Sequence, residues 1–121
     1  MTTSEKSGIE RREHPRFQAR SLLAIVRVPE SPLDFYFQVD NISLKGLALV
    51  TQTFEGFPLQ VDRVIDIELF ASIGSLRCRG VIVRVIPRPN GAPLGFGVRV
   101  YGFGPDEKSR WLSLVEGASG L

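Results

Sequence analysis

Two short patterns in this sequence carry side chains that can do chemistry together. The first is the R-x-x-x-R pair Arg12 and Arg16, inside "RREHPR" and directly preceded by Arg11. Each guanidinium is a planar fork able to grip phosphate oxygens, or the O6/N7 edge of guanine, with paired hydrogen bonds. Pro15 biases His14 toward extended geometry, which sets the pair on an arm and not on a regular helix. The second pattern is N-x-S-x-x-G in "DNISLKGLAL". Asn41 offers a donor and an acceptor, Ser43 a rotatable hydroxyl, and Gly46 a backbone that can take positive φ or let a flat ligand come close. Taken singly, the first pattern also reads as a solvated charge run and the second as an ordinary turn, because Asn, Ser and Gly dominate turns.

Catalytic constellations are not evident. His14 stands in the sequence with no Cys, His or paired-acid cluster beside it, and no nucleophile elbow, H-x-x-x-H or phosphate-cradling glycine loop occurs. The expectation is a binding protein and not an enzyme, with no catalytic residue, no metal and no cofactor.

Charge sharpens that expectation. Of 15 basic and 13 acidic residues, five and three respectively fall in residues 1–20, leaving ten of each in the remainder. The excess therefore sits on the arm, whereas a binder of nucleic-acid polymers would also spread a basic face over its body, since affinity grows with the number of phosphates neutralised. Polymer binding is not expected. The lone Cys78 falls in a strand-like run, reads as a buried free thiol and suits a reducing compartment. No N-terminal h-region and no run near ~18 apolar residues is present, so membrane insertion is not expected and the chain reads as cytoplasmic.

The elements that must position the two patterns are mostly strands. Residues 21–28 ("SLLAIVRV") read as a strand closed by Pro29 and Pro32. In 33–40, Leu33, Phe35, Phe37 and Val39 alternate with polar residues; in 61–70, Ile65, Ile67 and Leu69 do so; in 94–103, Phe96, Val98 and Val100 do so. Residues 46–52 and 75–88 supply two more strands, and Gly80 within the latter predicts a bulge or sharp bend. Arg84 and Arg99 lie on the later strands and read first as exposed barrel residues, Arg84 being carried as an additional ligand contact. Six strands joined by short turns with no intervening helix predict an antiparallel barrel, because closure removes exposed edges. The tail differs. Gly104 can cap a helix, Pro105 suits its first position, and Asp106 and Glu107 complement its dipole. Trp111 and Val115 share a face, so the helix is expected to pack on the barrel, with Trp111 as core or lid and Gly117 as the stop.

Together, the two patterns and the strand plan resemble the PilZ domain family, whose signature is an R-x-x-x-R segment before the first strand and a [D/N]-x-S-x-x-G segment after the second. "RGVIVRV" (79–85) is similar to the family's long strand, and "GFGVRVYGF" (95–103) to its closing strand before a C-terminal helix. Residues 1–9, small, polar and without periodicity, are expected to be disordered; the resemblance covers a single PilZ-like domain at 10–116, leaving a tail at 117–121. The implied fold is all-β: a six-stranded antiparallel barrel with a C-terminal α-helix and a flexible N-terminal arm. The implied ligand is cyclic di-GMP. By this carry-over Arg12 and Arg16 clamp its phosphates and guanine edges, Asn41 and Ser43 bond a guanine, and Gly46 shapes their turn. Asn41 stands where many members have Asp and so lacks the carboxylate's charge, while Arg11 leaves open a mode with two stacked ligands. The function implied is a receptor whose arm closes over the nucleotide and alters a surface read by a downstream protein partner. The alternative is a PilZ-like protein–protein adaptor that binds no nucleotide.

Overall fold

The computed structural model describes residues 17–18, 22–71 and 74–118. In chain order the elements are β1 (Phe17–Gln18), β2 (Leu23–Arg27), β3 (Asp34–Ser43), β4 (Gly46–Val50), β5 (Val64–Ala71), β6 (Gly74–Pro87), β7 (Pro93–Tyr101) and α1 (Pro105–Ala118). All strand pairings are antiparallel. Around the ring β3 joins β2, then β5, β6, β7 and β4, and β4 pairs back onto β3 to close a six-stranded barrel. The two-residue β1 is an addition to the six expected strands, and it pairs with β3 at Ile42 and Asn41.

Alternation builds the interior as expected. Phe37 and Val39, Ile65, Ile67 and Leu69, and Phe96, Val98 and Val100 all point into the core, each burial contributing roughly 1.5–3 kcal/mol. Leu33 departs from the expectation: it precedes β3 and is exposed. Phe54 and Phe57, from the loop after β4, fold back to fill the core against Phe37 and Phe96, with the rings of Phe57 and Phe96 stacked at 5.3 Å. β5 begins at Val64 and not at 61, because Asp62 turns the chain with φ 73° while its N–H donates to the Ile82 carbonyl at 2.7 Å.

Gly80 is not a bulge. It pairs in register with Ile65 and Val100, and a Cβ there would collide with the side chains of Val98 and Ile67. Its bareness makes room in the core. The register shifts lie instead between Val39 and Asn41 on β3, and between Ile82 and Arg84 and between Ile86 and Pro87 on β6.

The helix starts as its sequence dictates, with the Lys108 N–H donating to the Gly104 carbonyl at 2.9 Å and Asp106 and Glu107 in the first turn. It runs through Gly117 to Ala118, one residue past the expected stop. Trp111 is its buried anchor, 2% exposed and packed against Phe103, while Leu114 and Val115 are half-buried on the core. Cys78 is a buried free thiol. Burial pushes its pKa up to about 12, with Asp66 adding to the shift.

Candidate functional site

Two bulges decide which side chains reach the outer wall. On β3 the inward residues are Phe35, Phe37 and Val39, a phase that would send residue 41 into the core. The extra residue at the Val39/Asn41 shift lets Asp40 and Asn41 both face outward and returns Ile42, fully buried, to the interior. On β6 the inward residues Leu76, Cys78, Gly80 and Ile82 would be followed by Arg84. The shift between Ile82 and Arg84 leaves both Val83 and Arg84 on the outside. A bulge thus re-aims each of two residues that the sequence marks as ligand contacts.

The register then sets those residues in line. One outward row crosses the barrel from Arg84 on β6 through Gly97 on β7 and Ala48 on β4 to Asn41 on β3. The next row runs from Val81 through Arg99 and Gly46 to Ser43. With strands spaced ~4.8 Å apart, Arg84 and Asn41 are about 14 Å apart along the backbone, and Arg99 and Ser43 about 10 Å. The positions between them, Gly97, Ala48 and Gly46, carry nothing larger than a methyl group and are themselves buried. A Cβ on Gly97 would sit 3.1 Å from Cγ and Nε of Arg84, so the arginine lies across the bare glycine. A Cβ on Gly46 would come within 2.4 Å of the Val98 carbonyl oxygen. Gly46 is therefore the first residue of β4 and is fixed by the close approach of β7; the turn itself is Leu44–Lys45.

Asn41 donates through Nδ2 to Asp40 at 3.2 Å. Ser43 is only 3% exposed, and no hydrogen bond to its hydroxyl forms among the described residues. The turn between Ser43 and Gly46 is held from two sides. Trp111 Nε1–H donates to the Leu44 carbonyl at 2.8 Å, and the Val100 N–H donates to the Lys45 carbonyl at 2.9 Å. The helix anchor, the small residues Gly97 and Ala48, and the bulges are features of the site that sequence reading missed. Their available signals were the G-F-G of 95–97 and the polar pair Asp40–Asn41 ahead of Ile42.

Arg11, Arg12 and Arg16 lie outside the described residues. The structure therefore brings together Asn41, Ser43, Gly46 and Arg84 on one wall. Beyond the Asn41–Ala48 row, the Gln38–Val50 pair leads into an open groove of ≈ 870 Å³ lined by Leu23, Ile25, Tyr36, Phe70 and Arg88 among others. That groove is mostly apolar and lies beside the wall that carries Arg84 and Arg99. Among the described residues no group of three or more His, Cys, Asp and Glu is arranged to hold a metal, and no helix is long and apolar enough to cross a membrane.

Comparison with known proteins gives a consistent family. The PilZ domain profile matches residues 10–117. Among solved structures, the K. pneumonia MrkH–c-di-GMP complex superposes with a TM-score of 0.72 at 22% identity, covering 88% of this chain and 51% of that one. The Bacillus subtilis inhibitor of motility MotI gives a TM-score of 0.71 at 16% identity over 90% of this chain and 51% of that one. The PilZ domain of YcgR from Escherichia coli, with c-di-GMP, gives 0.69 at 14% identity over 91% and 92%. This chain thus spans about half the length of MrkH and MotI. No curated protein sequence matches it.

Proposed function

The chain belongs to the PilZ domain family, and from that premise we propose that it is a cytoplasmic receptor for cyclic di-GMP that signals through a separate protein partner. One observation carries the reading. Asn41, half-buried, and Ser43, buried, sit on a braced hairpin, across Ala48 and Gly97 from Arg84, which makes no ion pair among the described residues. A dinucleotide with two phosphates and two flat, acceptor-rich bases needs such a surface: guanidinium at one side, hydrogen-bonding side chains at the other, and no bulk between. Asn41 and Ser43 bond a guanine edge and Arg84 meets a phosphate. Arg12 and Arg16, with Arg11 beside them, close from the arm on the opposite side of the ligand.

The c-di-GMP in the MrkH and YcgR structures supports the ligand. MotI is an inhibitor of motility and MrkH a transcription regulatory factor, so the same barrel serves different outputs, and the output here depends on the partner. In this reading ligand binding reshapes the surface by fixing residues around Arg11–Arg16. Fixing each costs roughly 1–2 kcal/mol of backbone entropy, which the phosphates offset.

Calorimetric titration of the full chain with cyclic di-GMP tests the assignment. Saturable binding is expected, weakened in Asn41→Ala and Ser43→Ala without a change in the thermal midpoint of the ligand-free protein. Amide hydrogen exchange of residues 8–20 is expected to slow on saturation. Absence of binding by the wild-type chain refutes the reading; binding with unchanged exchange refutes only the closing arm.

A further inference from the structure

We propose that Arg99 is a second wall-mounted phosphate ligand of this site, paired in function with Arg84. The inference rests on the cyclic di-GMP reading and adds to it a residue outside both sequence patterns.

The eight arginines among the described residues divide into two groups. Arg27 binds Asp34 and Glu68, Arg63 binds Glu30 and Gln60, Arg77 lies against Glu68, and Arg79 against Asp66. Arg88 and Arg110 donate to the backbone carbonyls of Thr51 and Ser75. Arg84 and Arg99 make neither kind of contact among the described residues. These two also stand in the two adjacent rows that lead to the hairpin, Arg84 at the start of one and Arg99 next to Gly46 in the other. Unpaired arginines scattered at random over the barrel would be ordinary; both falling on the ligand wall, beside Asn41 and Ser43, is what a dianionic ligand requires.

The geometry of the Arg99 row is the tighter of the two. Arg99 and Ser43 are separated by Gly46 alone, and the Val98 carbonyl leaves no space for a side chain at that position. Arg99 and Ser43 therefore flank Gly46 about two strand spacings apart, the arginine exposed and the serine buried. Asp40, the carboxylate at the bulge, is engaged with the Asn41 amide. A phosphate over this row meets the guanidinium of Arg99, next to the guanine that Asn41 and Ser43 hold. Arg84 stands one row along, so the two arginines are spaced along the wall for the two phosphates of a single cyclic dinucleotide.

The test is calorimetric titration of wild type, Arg99→Ala, Arg99→Lys and Arg77→Ala with cyclic di-GMP at two salt concentrations, with thermal midpoints measured alongside. Arg99→Ala is expected to raise Kd by about 10-fold or more, in line with loss of a charge-assisted bond, and to flatten the salt dependence. Arg99→Lys keeps the charge but not the fork, and is expected to recover part of the affinity. Arg77→Ala, on an exposed and acid-paired arginine, is expected to bind as wild type. Wild-type affinity and salt dependence in Arg99→Ala overturn the inference while leaving the ligand assignment intact. An equal loss in Arg77→Ala overturns it too, as a general charge effect. Failure of the wild-type chain to bind removes the underlying reading and the inference with it.

Discussion

The barrel has two walls that use the same residue type to opposite ends. On the wall of β2, β5 and the first half of β6, one row reads Asp34, Arg27, Asp66, Arg79 from strand to strand, and the neighbouring row sets Glu68 against Arg77. The contacts follow: Arg27 to Asp34 at 2.8 Å and to Glu68 at 3.1 Å, Arg79 to Asp66 at 3.3 Å, Arg77 to Glu68 at 3.8 Å. Its hydrogen bonds to Asp34 and Glu68 hold the Arg27 guanidinium above its ordinary pKa. Opposite charges placed directly across strands favour this register, although exposed pairs of this kind contribute only ~0–1 kcal/mol each. On the other wall, the second half of β6 with β7, β4 and β3, the positions between Arg84 or Arg99 and the hairpin hold glycine or alanine in place of acids. One wall has neutralised itself. On the other, Arg84 and Arg99 make no ion pair among the described residues.

The largest effect that separates the walls is expected from the arm. If Arg12 and Arg16 close over the unpaired wall, Arg12→Ala or Arg16→Ala each removes charge-assisted hydrogen bonds worth roughly 1.5–3 kcal/mol, a Kd raised about 10- to 150-fold. Arg27→Ala, on the paired wall, should leave Kd where it was and shift stability little, because its ion pairs are solvent-screened. Titration of the three variants with cyclic di-GMP decides it, and comparable losses in all three would erase the distinction between the walls.

The second effect concerns Gly46, between Arg99 and Ser43. Gly46→Ala drives a Cβ toward the Val98 carbonyl oxygen, only 2.4 Å away, in a backbone that cannot swing aside. Prying β4 from β7 is expected to cost roughly 1–3 kcal/mol of stability and to disturb the spacing of Arg99 and Ser43. Chemical denaturation measures the first and ligand titration the second. An unchanged midpoint would mean that the two strands have room to part.

A smaller effect is expected from the tether. Trp111→Phe keeps an aromatic ring beside Phe103 but removes the N–H that bonds the Leu44 carbonyl. A loss of about 1 kcal/mol is expected, with a modest rise in Kd because the Ser43 hairpin loses one of its two braces. Trp111→Ala, which also removes the buried ring, should cost several kcal/mol more.

Much of this architecture was legible before any coordinates. Phe37 and Val39, Ile65 to Leu69, and Phe96 to Val100 announce their inward faces by alternation, and the order of turns without helices predicts closure. The bulges were not legible, because an extra residue breaks the same period-two pattern from which strands are read. Gly80 attracted the prediction of irregularity, yet its lack of a side chain answers a packing need of Val98 and Ile67 and leaves the register unbroken. Arg84 and Arg99 look alike in sequence. What distinguishes them from Arg77 and Arg79 is which residues stand opposite on other strands, and that depends on pairings formed across distant parts of the chain.

The smallest expected effect lies in the paired wall, where Cys78 points inward between Arg77 and Arg79. Burial, with Asp66 beside it, raises the thiol's pKa from 9.0 to about 12, so the fold holds the neutral thiol. The unfolded chain ionises at the ordinary value. Between the two values the unfolded state binds fewer protons than the folded one, so stability is fully present below the ordinary pKa and falls as pH rises through that window. From pH 7.5 to 9.5 this linkage amounts to roughly 1 kcal/mol or less. Cys78→Ala loses a little packing at every pH but also loses the linkage. Its denaturation midpoint should therefore fall less than the wild type's over the same interval, with lysine and tyrosine contributions cancelling in the comparison. Parallel pH profiles for the two proteins would mean that the thiol ionises as readily folded as unfolded. The paired wall would then admit solvent, or its arginines would stabilise the thiolate, and its charges could not be treated as self-contained.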